Sequence, residues 1–316
     1  MIKYILQRVW AMVLTLFIIM ALSFVIIRLM PMSIFEDPDI PPEVAFKLEE
    51  EMHLHDPIPV QFFYYMKNII LDFNFGTSVK IKPGAPVFSV IRDAIPPTVG
   101  LNILSLFISI PLGLIAGFLA ALMRNTWVDT VISFSVVMCI SIPSFVFASL
   151  LQYCLTFVWP IFPTLYDATG GLSVQLYSMI LPIIALALNP IATIARYLRG
   201  ELIENISSEY LLLARTKGLT RAQATVRHAF RNSMMPITST LVSLITGIMG
   251  GSLVIEKMFA VPGMGGQLVD SIMAGDHFLT VALLIFYSAI SLVTILIVDL
   301  SYGIIDPRIR VGGGNK

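Results

Sequence analysis

The sequence predicts an all-α membrane protein with six transmembrane helices and both termini cytoplasmic. Three observations carry that expectation. Hydrophobic residues make up 57% of the 316 and charged residues only 13%, where a soluble domain carries about 25% charged residues. Mean hydropathy is +0.86. Apolar runs of the length needed to cross a bilayer, about 20 residues, recur along the chain, and the charge between them is segregated. Formal net charge is zero, so nothing points to a nucleic-acid partner.

The runs cover approximately Val9–Met30, Thr98–Leu122, Thr130–Val158, Tyr177–Arg196, Ile237–Ile255 and Phe278–Leu300. The first is longer than the ~7–15 apolar residues of a signal peptide, so it reads as a retained span. Lys3 and Arg8 precede it, and Arg124 lies between the second and third runs. Arg196, Arg199, Arg215, Lys217, Arg221, Arg227 and Arg231 follow the fourth, and Arg308, Arg310 and Lys316 follow the sixth. The opposite short loops, 159–176 and 256–277, hold only Lys257. The positive-inside rule then places both termini and the 197–236 loop in the cytoplasm.

Residues 31–95 form a long outward connection with an acidic first half, from Glu36 and Asp37 to Glu51 and Asp56. Pro41-Pro42 opens a helix through EVAFKLEEEM, and Asp56-Pro57 ends it. VQFFYYMKNIIL reads as a second helix lying at the membrane interface, and DFNFG as a turn. Pro111, Pro143, Pro182 and Pro190 fall inside the runs, where neighbouring helices can satisfy the freed backbone groups. Cys139 and Cys154 share one apolar run. If that run is a single helix they lie roughly 22 Å apart and cannot bridge.

Reactive chemistry is sparse. Ionisable residues avoid the middles of the runs, which counts against an ion-coupled secondary transporter. No hydrolase elbow, zincin motif or phosphate-binding P-loop is present. VPGMGGQLV (261–269) lacks the Lys-Ser/Thr of a phosphate cradle and reads as an outward turn. His53-x-His55-Asp56 lacks further ligands nearby in sequence and reads as solvated polar residues. His277 is a lone histidine at a span boundary. No catalytic, cofactor-binding or metal residue is expected.

The 208–232 loop is the informative part. Ser208 is placed to cap a helix running from Glu209 to about Lys217, with Gly218 at its C-terminal stop. Thr220 and Gln223 form a capping box for a second helix reaching about Asn232. The first helix carries Tyr210, Leu211, Leu213 and Ala214, beside Arg215 and Lys217. Those apolar residues cover most of a turn, and burying one Leu is worth about 1.5–3 kcal/mol. Either the loop folds onto its own membrane domain, or it offers an apolar, basic-edged helix to a groove on a separate protein.

ARTKGLTRAQATVRHAFRNSMMP (214–236) resembles the EAA-type cytoplasmic loop of ABC-importer permeases in its peptide-transporter version. PPEVAFKLEEEMHLHDPIPVQFFYYMKNII resembles the outward N-terminal region of oligopeptide permease B subunits. VIEKMFAVPGMGG resembles their motif after the fifth span, and VDLSYGIIDPRIR their ending. The resemblance covers essentially the whole chain. It departs at Leu212, where the general pattern has Glu, and at Leu213, where it has Ala; Ala214 and Gly218 match.

The resemblance implies a type I ABC-importer permease fold. Residues 1–30 would be the first transmembrane helix and 31–95 a small extracytoplasmic subdomain. Residues 96–305 would be the five-helix core, with a cytoplasmic coupling loop at 199–235, and 306–316 a cytoplasmic tail. The implied role is non-enzymatic, in a prokaryotic cytoplasmic (inner) membrane. Such a subunit pairs with a second homologous permease, with two cytoplasmic ATPases that bind ATP and Mg, and with an extracytoplasmic peptide-binding protein. Oligopeptides are the implied cargo; dipeptides, nickel chelates, opines and glutathione are the alternatives. Carried over, Tyr210, Leu211, Leu213, Ala214, Arg215 and Lys217 form the helix that couples to an ATPase. Gly218 is its turn, and Arg227 and His228 brace the second helix.

Overall fold

A computed structural model describes residues 2–30, 42–51, 53–246 and 253–305. Among these residues the protein is all-α, with one isolated β-bridge between Thr77 and Pro86. Helix α1 spans Ile2–Arg28, α2 Pro42–Glu51 and α3 Ile58–Asp72. Pro42 is the first residue of α2 and Pro57 the N-cap of α3, the positions where a missing N–H costs nothing. Phe73 ends α3 in the left-handed region (φ 51°). Asn74 Oδ1 accepts the Gly76 N–H at 2.8 Å and closes the expected turn.

Helix α4 runs Val87–Leu122, eleven residues earlier than the apolar pattern suggests. The third apolar run is not one helix. Trp127–Ser141 (α5) and Ser144–Gln152 (α6) meet at Pro143 with a bend of 103°, and a π-helical segment, 153–158, follows. Proline removes an N–H and clashes with the preceding turn, so the chain breaks where a single kinked span was expected. Cys139 and Cys154 thus lie on opposite sides of a bend, and both are free. Tyr177 belongs to a short helix, α7 (Leu172–Ser178). The fourth apolar run is covered mainly by α8, which runs Ile180–Ile206 and carries Arg196 and Arg199 within it.

Helix α9 is Glu209–Thr216 and α10 Arg221–Ala224. A π-helical segment, 225–230, leads into α11 (Arg231–Thr246). The expected Ile237–Ile255 span is partly covered by α11; its residues 247–252 lie outside the described residues. Then come α12 (Leu253–Met258), α13 (Met264–Ala274) and α14 (His277–Ile305). The glycine cluster of VPGMGGQLV is therefore the start of a buried helix, not a surface turn. Among the described residues four helices are long and apolar enough to cross a membrane: Leu6–Arg28, Val87–Leu122, Ile180–Ile206 and His277–Leu300. The bent α5–α6 pair makes a fifth if counted as one span.

The chain divides into two compact units, 1–99 with 249–296, and 100–248 with 297–316. In the first, Phe75, Val87, Ile91, Met264, Leu279 and Leu283 form one core cluster. Residues after α3 are thus packed on α13 and α14. One carboxylate fixes this region. Asp276 Oδ2 accepts the Ser78 hydroxyl at 2.6 Å and the backbone N–H groups of Val79, Lys80 and Ile81 at 3.1, 3.1 and 3.2 Å. Asp276 is fully buried, so these donors replace its hydration. The glycine cluster serves a second carboxylate: Glu256 Oε2 accepts the Gly265 N–H at 2.7 Å, and a Cβ on Gly263 would lie 2.3 Å from the same oxygen.

In the second unit α4 packs on α8 through Gly113 and Gly117. A Cβ at Gly117 would lie 2.7 Å from the Ala195 carbonyl oxygen. This small-xxx-small spacing lets two membrane helices approach closely. Arg199 on α8 grips Asp129 on α5 in a two-pronged pair, Nε to Oδ1 at 2.6 Å and Nη2 to Oδ2 at 2.8 Å.

Asp276→Ala leaves the four donors on Oδ2, and the Leu279 N–H on Oδ1, without their acceptor and is expected to cost about 3 kcal/mol or more. Asp276→Asn keeps one oxygen and is expected to cost less. Thermal melts of the detergent-purified protein check that order.

Candidate functional site

The candidate site is the segment from the end of α8 to the start of α11, all within the second unit. Ser208 occupies the N-cap of α9, but its side chain does not cap. Its hydroxyl donates to the Asn205 carbonyl oxygen instead, at 2.6 Å. The other end of α9 closes as expected. Gly218 sits at φ +98°, the Gly218 N–H bonds the Arg215 carbonyl at 3.0 Å, and the Leu219 N–H the Ala214 carbonyl at 3.4 Å. This is a Schellman stop, which needs a left-handed residue that glycine supplies without strain. The Thr220–Gln223 capping box is present in both directions. The second helix does not end near Asn232. It passes through the π-helical segment into α11, so the loop is continuous with the next long helix.

The two faces of α9 are different. Leu211 is 4% exposed and packs with Leu198, Leu202, Ala224, Ala229 and Ile237. Ala214, one turn on, and Leu219 join the same cluster. Leu212 and Leu213 are 62% and 56% exposed. One face of the loop helix therefore folds onto the chain's own helices, and the other presents two exposed leucines. Arg215, Lys217 and Gly218 are exposed beside them, as is Tyr210 in part.

Hydrogen bonds tie the helix down. The Tyr210 hydroxyl donates to Asn205 Oδ1. Asn205 Nδ2 donates to Ser233 Oγ at 3.1 Å and to the Glu201 carbonyl at 2.8 Å. Ser233 Oγ donates in turn to the Ala229 carbonyl at 2.8 Å. Asn205 thereby links α8, α9 and α11. Arg227 and His228 are exposed, with no side-chain hydrogen bond among the described residues. Buried Ala224, Thr225 and Ala229 hold that segment instead. Sequence reasoning missed Leu212, Asn205 and Ser233. The helical period carried the signal for the first, since Leu211 and Ala214 share one face and Leu212 must leave it.

The long apolar helices define a multi-pass α-helical membrane protein, and a basic-edged helix with exposed leucines is tied to them. Binding-protein-dependent transport system inner membrane components match residues 109–311, and the N-terminal region of such membrane components matches residues 1–102. The chain belongs to that family and is an inner-membrane permease subunit rather than an enzyme. It is 38% identical to the dipeptide transport system permease protein DppB of Bacillus subtilis, over 98% of this chain and 99% of that protein. It is 37% identical to the DppB of Lactococcus lactis and 36% to the oligopeptide transport system permease protein OppB of Escherichia coli, each over 98% of this chain and all of the relative.

Leu211→Ala removes the residue that seats α9 and is expected to cost about 2–5 kcal/mol. Residues 208–219 should then become protease-sensitive in the purified protein, while Leu213→Ala leaves them protected.

Proposed function

We propose that this chain is one of two homologous transmembrane subunits of an ATP-driven peptide importer. It has six spans and both termini in the cytoplasm. Cargo arrives from an extracytoplasmic binding protein, and two cytoplasmic ATPases supply the energy. The observation that carries this reading is the exposed Leu212–Leu213 pair on a helix whose opposite face is anchored by Leu211. Two adjacent leucines left in water form a sticky patch. Seated in a groove on an ATPase they are covered, with Arg215 and Lys217 at the rim to meet carboxylates and set register.

The anchoring gives the helix a mechanical role. A displacement applied to Leu212 and Leu213 passes through Tyr210 and Asn205 to the end of α8. From α8 it passes to α5 through the Arg199–Asp129 pair. ATP-driven closure of the ATPases would pull on α9 and so shift these helices between inward-open and outward-open arrangements. Gly218 and the Schellman stop keep α9 from fraying under that load.

The cargo class is short peptides. Relatives named for dipeptide and for oligopeptide transport lie at nearly equal identity. That supports dipeptides alongside the oligopeptides, and the selection would rest with the binding protein.

Leu213→Asp, and Leu212→Asp with it, should abolish ATP-dependent peptide uptake by roughly tenfold or more while the protein still inserts and melts normally. Uptake of labelled peptide into proteoliposomes containing the whole transporter is the measurement. Normal uptake in both variants rules out α9 as the coupling helix.

A further inference from the structure

One polar cleft in the first unit has no part in the coupling described above. It lies between α1 and α3, measures about 240 Å³, and is lined by Arg28, Tyr64, Tyr65, Asn68, Asn74 and Phe278, among others. Its cation is unusual. The Arg28 guanidinium lies 5.2 Å from the centroids of both the Phe24 and Phe278 rings. Among the described residues it forms no ion pair. The rings hold the guanidinium by cation–π attraction, but they leave its N–H donors unmatched.

Tyr65 lines the same cleft. Its side chain is 6% exposed, and its hydroxyl has no hydrogen-bond partner among the described residues. Burial pushes the pKa of this phenol up, so it stays a donor. The nearby carboxylate, Asp56, is taken up by His53 Nδ1 at 3.0 Å, and the His53 ring stacks on Tyr64. A half-buried cation and a buried unpaired hydroxyl on one cleft are costly unless an anion fills it.

The surroundings say which anion. Helix α1 exposes Phe17, Ile18, Leu22 and Ile26, an apolar face suited to acyl chains that Leu29 extends just past its end. Helix α3 exposes Val60, Phe63, Ile70 and Leu71, with Lys67 in the same stripe. Such a helix lies in the plane of the headgroup boundary. Arg28 ends the apolar span Leu6–Arg28, the depth at which phosphate groups sit.

We propose that this cleft binds the phosphodiester headgroup of an anionic glycerophospholipid, with the Arg28 guanidinium and the Tyr65 hydroxyl as donors. The lipid's acyl chains run along the exposed face of α1. The bound lipid would join α1 to α3 and hold the outward helices against the membrane surface.

Native mass spectrometry of the full-length protein purified in detergent and loaded with phosphatidylglycerol tests this. Wild type should retain one phosphatidylglycerol through delipidation, in preference to phosphatidylcholine. Arg28→Gln should lower that retention about tenfold, the weight of a charge-assisted contact, and Arg28→Lys should restore part of it. Tyr65→Phe should lower it a few-fold without lowering the melting temperature, which separates lost binding from lost fold. Equal retention in Arg28→Gln and Tyr65→Phe overturns the proposal. Displacement of the lipid by excess inorganic phosphate alone overturns it too, in favour of a small-anion site.

Discussion

Asp276 gathers the Ser78 hydroxyl and three consecutive backbone N–H groups onto one carboxylate oxygen. The need it meets governs the molecule. A buried backbone group that a helix end leaves free needs a partner, and at several breaks in this chain a side chain supplies it. Residues 78–81 are neither helix nor strand, and Asp276 supplies what a ladder would have supplied. The start of α13 is met by Glu256 and by Thr98, whose hydroxyl oxygen accepts the Met264 N–H at 2.8 Å. Loop 159–171 leans on Gln152, whose side-chain amide donates to the Thr164 carbonyl at 2.7 Å. Glycines 263 and 265 are small because the carboxylate needs the space.

The 208–232 loop meets the same constraint with its own residues. The Thr220 capping box covers the start of α10, and the Schellman turn at Gly218 covers the end of α9. Neither depends on a distant partner. This is why both were legible in the sequence: their rules act over three or four residues. The proline start of α2 was legible for the same reason, whereas Pro57, read as the end of the preceding helix, is the N-cap of α3. The apolar runs located the long helices because a bilayer rewards length and hydrophobicity alone.

What was not legible depended on contacts far apart in the chain. The pairing of Asp129 with Arg199 joins residues 70 positions apart. Gly117 looks like any helical glycine until Ala195 is placed against it. The split of Leu211 from Leu212 required knowing which face α8 and α11 would cover. Four apolar residues in a row leave that choice to the tertiary structure. Pro143 was visible, but a proline inside an apolar run is compatible with a kink or a break, and only the packing of α5 and α6 on α8 selects the break.

The Arg199–Asp129 pair also bears on how the chain is made. Asp129 leaves the ribosome well before Arg199. Until then its carboxylate has the Asn125 N–H and the Ser133 hydroxyl of its own segment as partners. Arrival of α8 brings the guanidinium that completes the set. The α5–α8 contact is thus closed by the later helix, and a chain truncated before Arg199 would lack it.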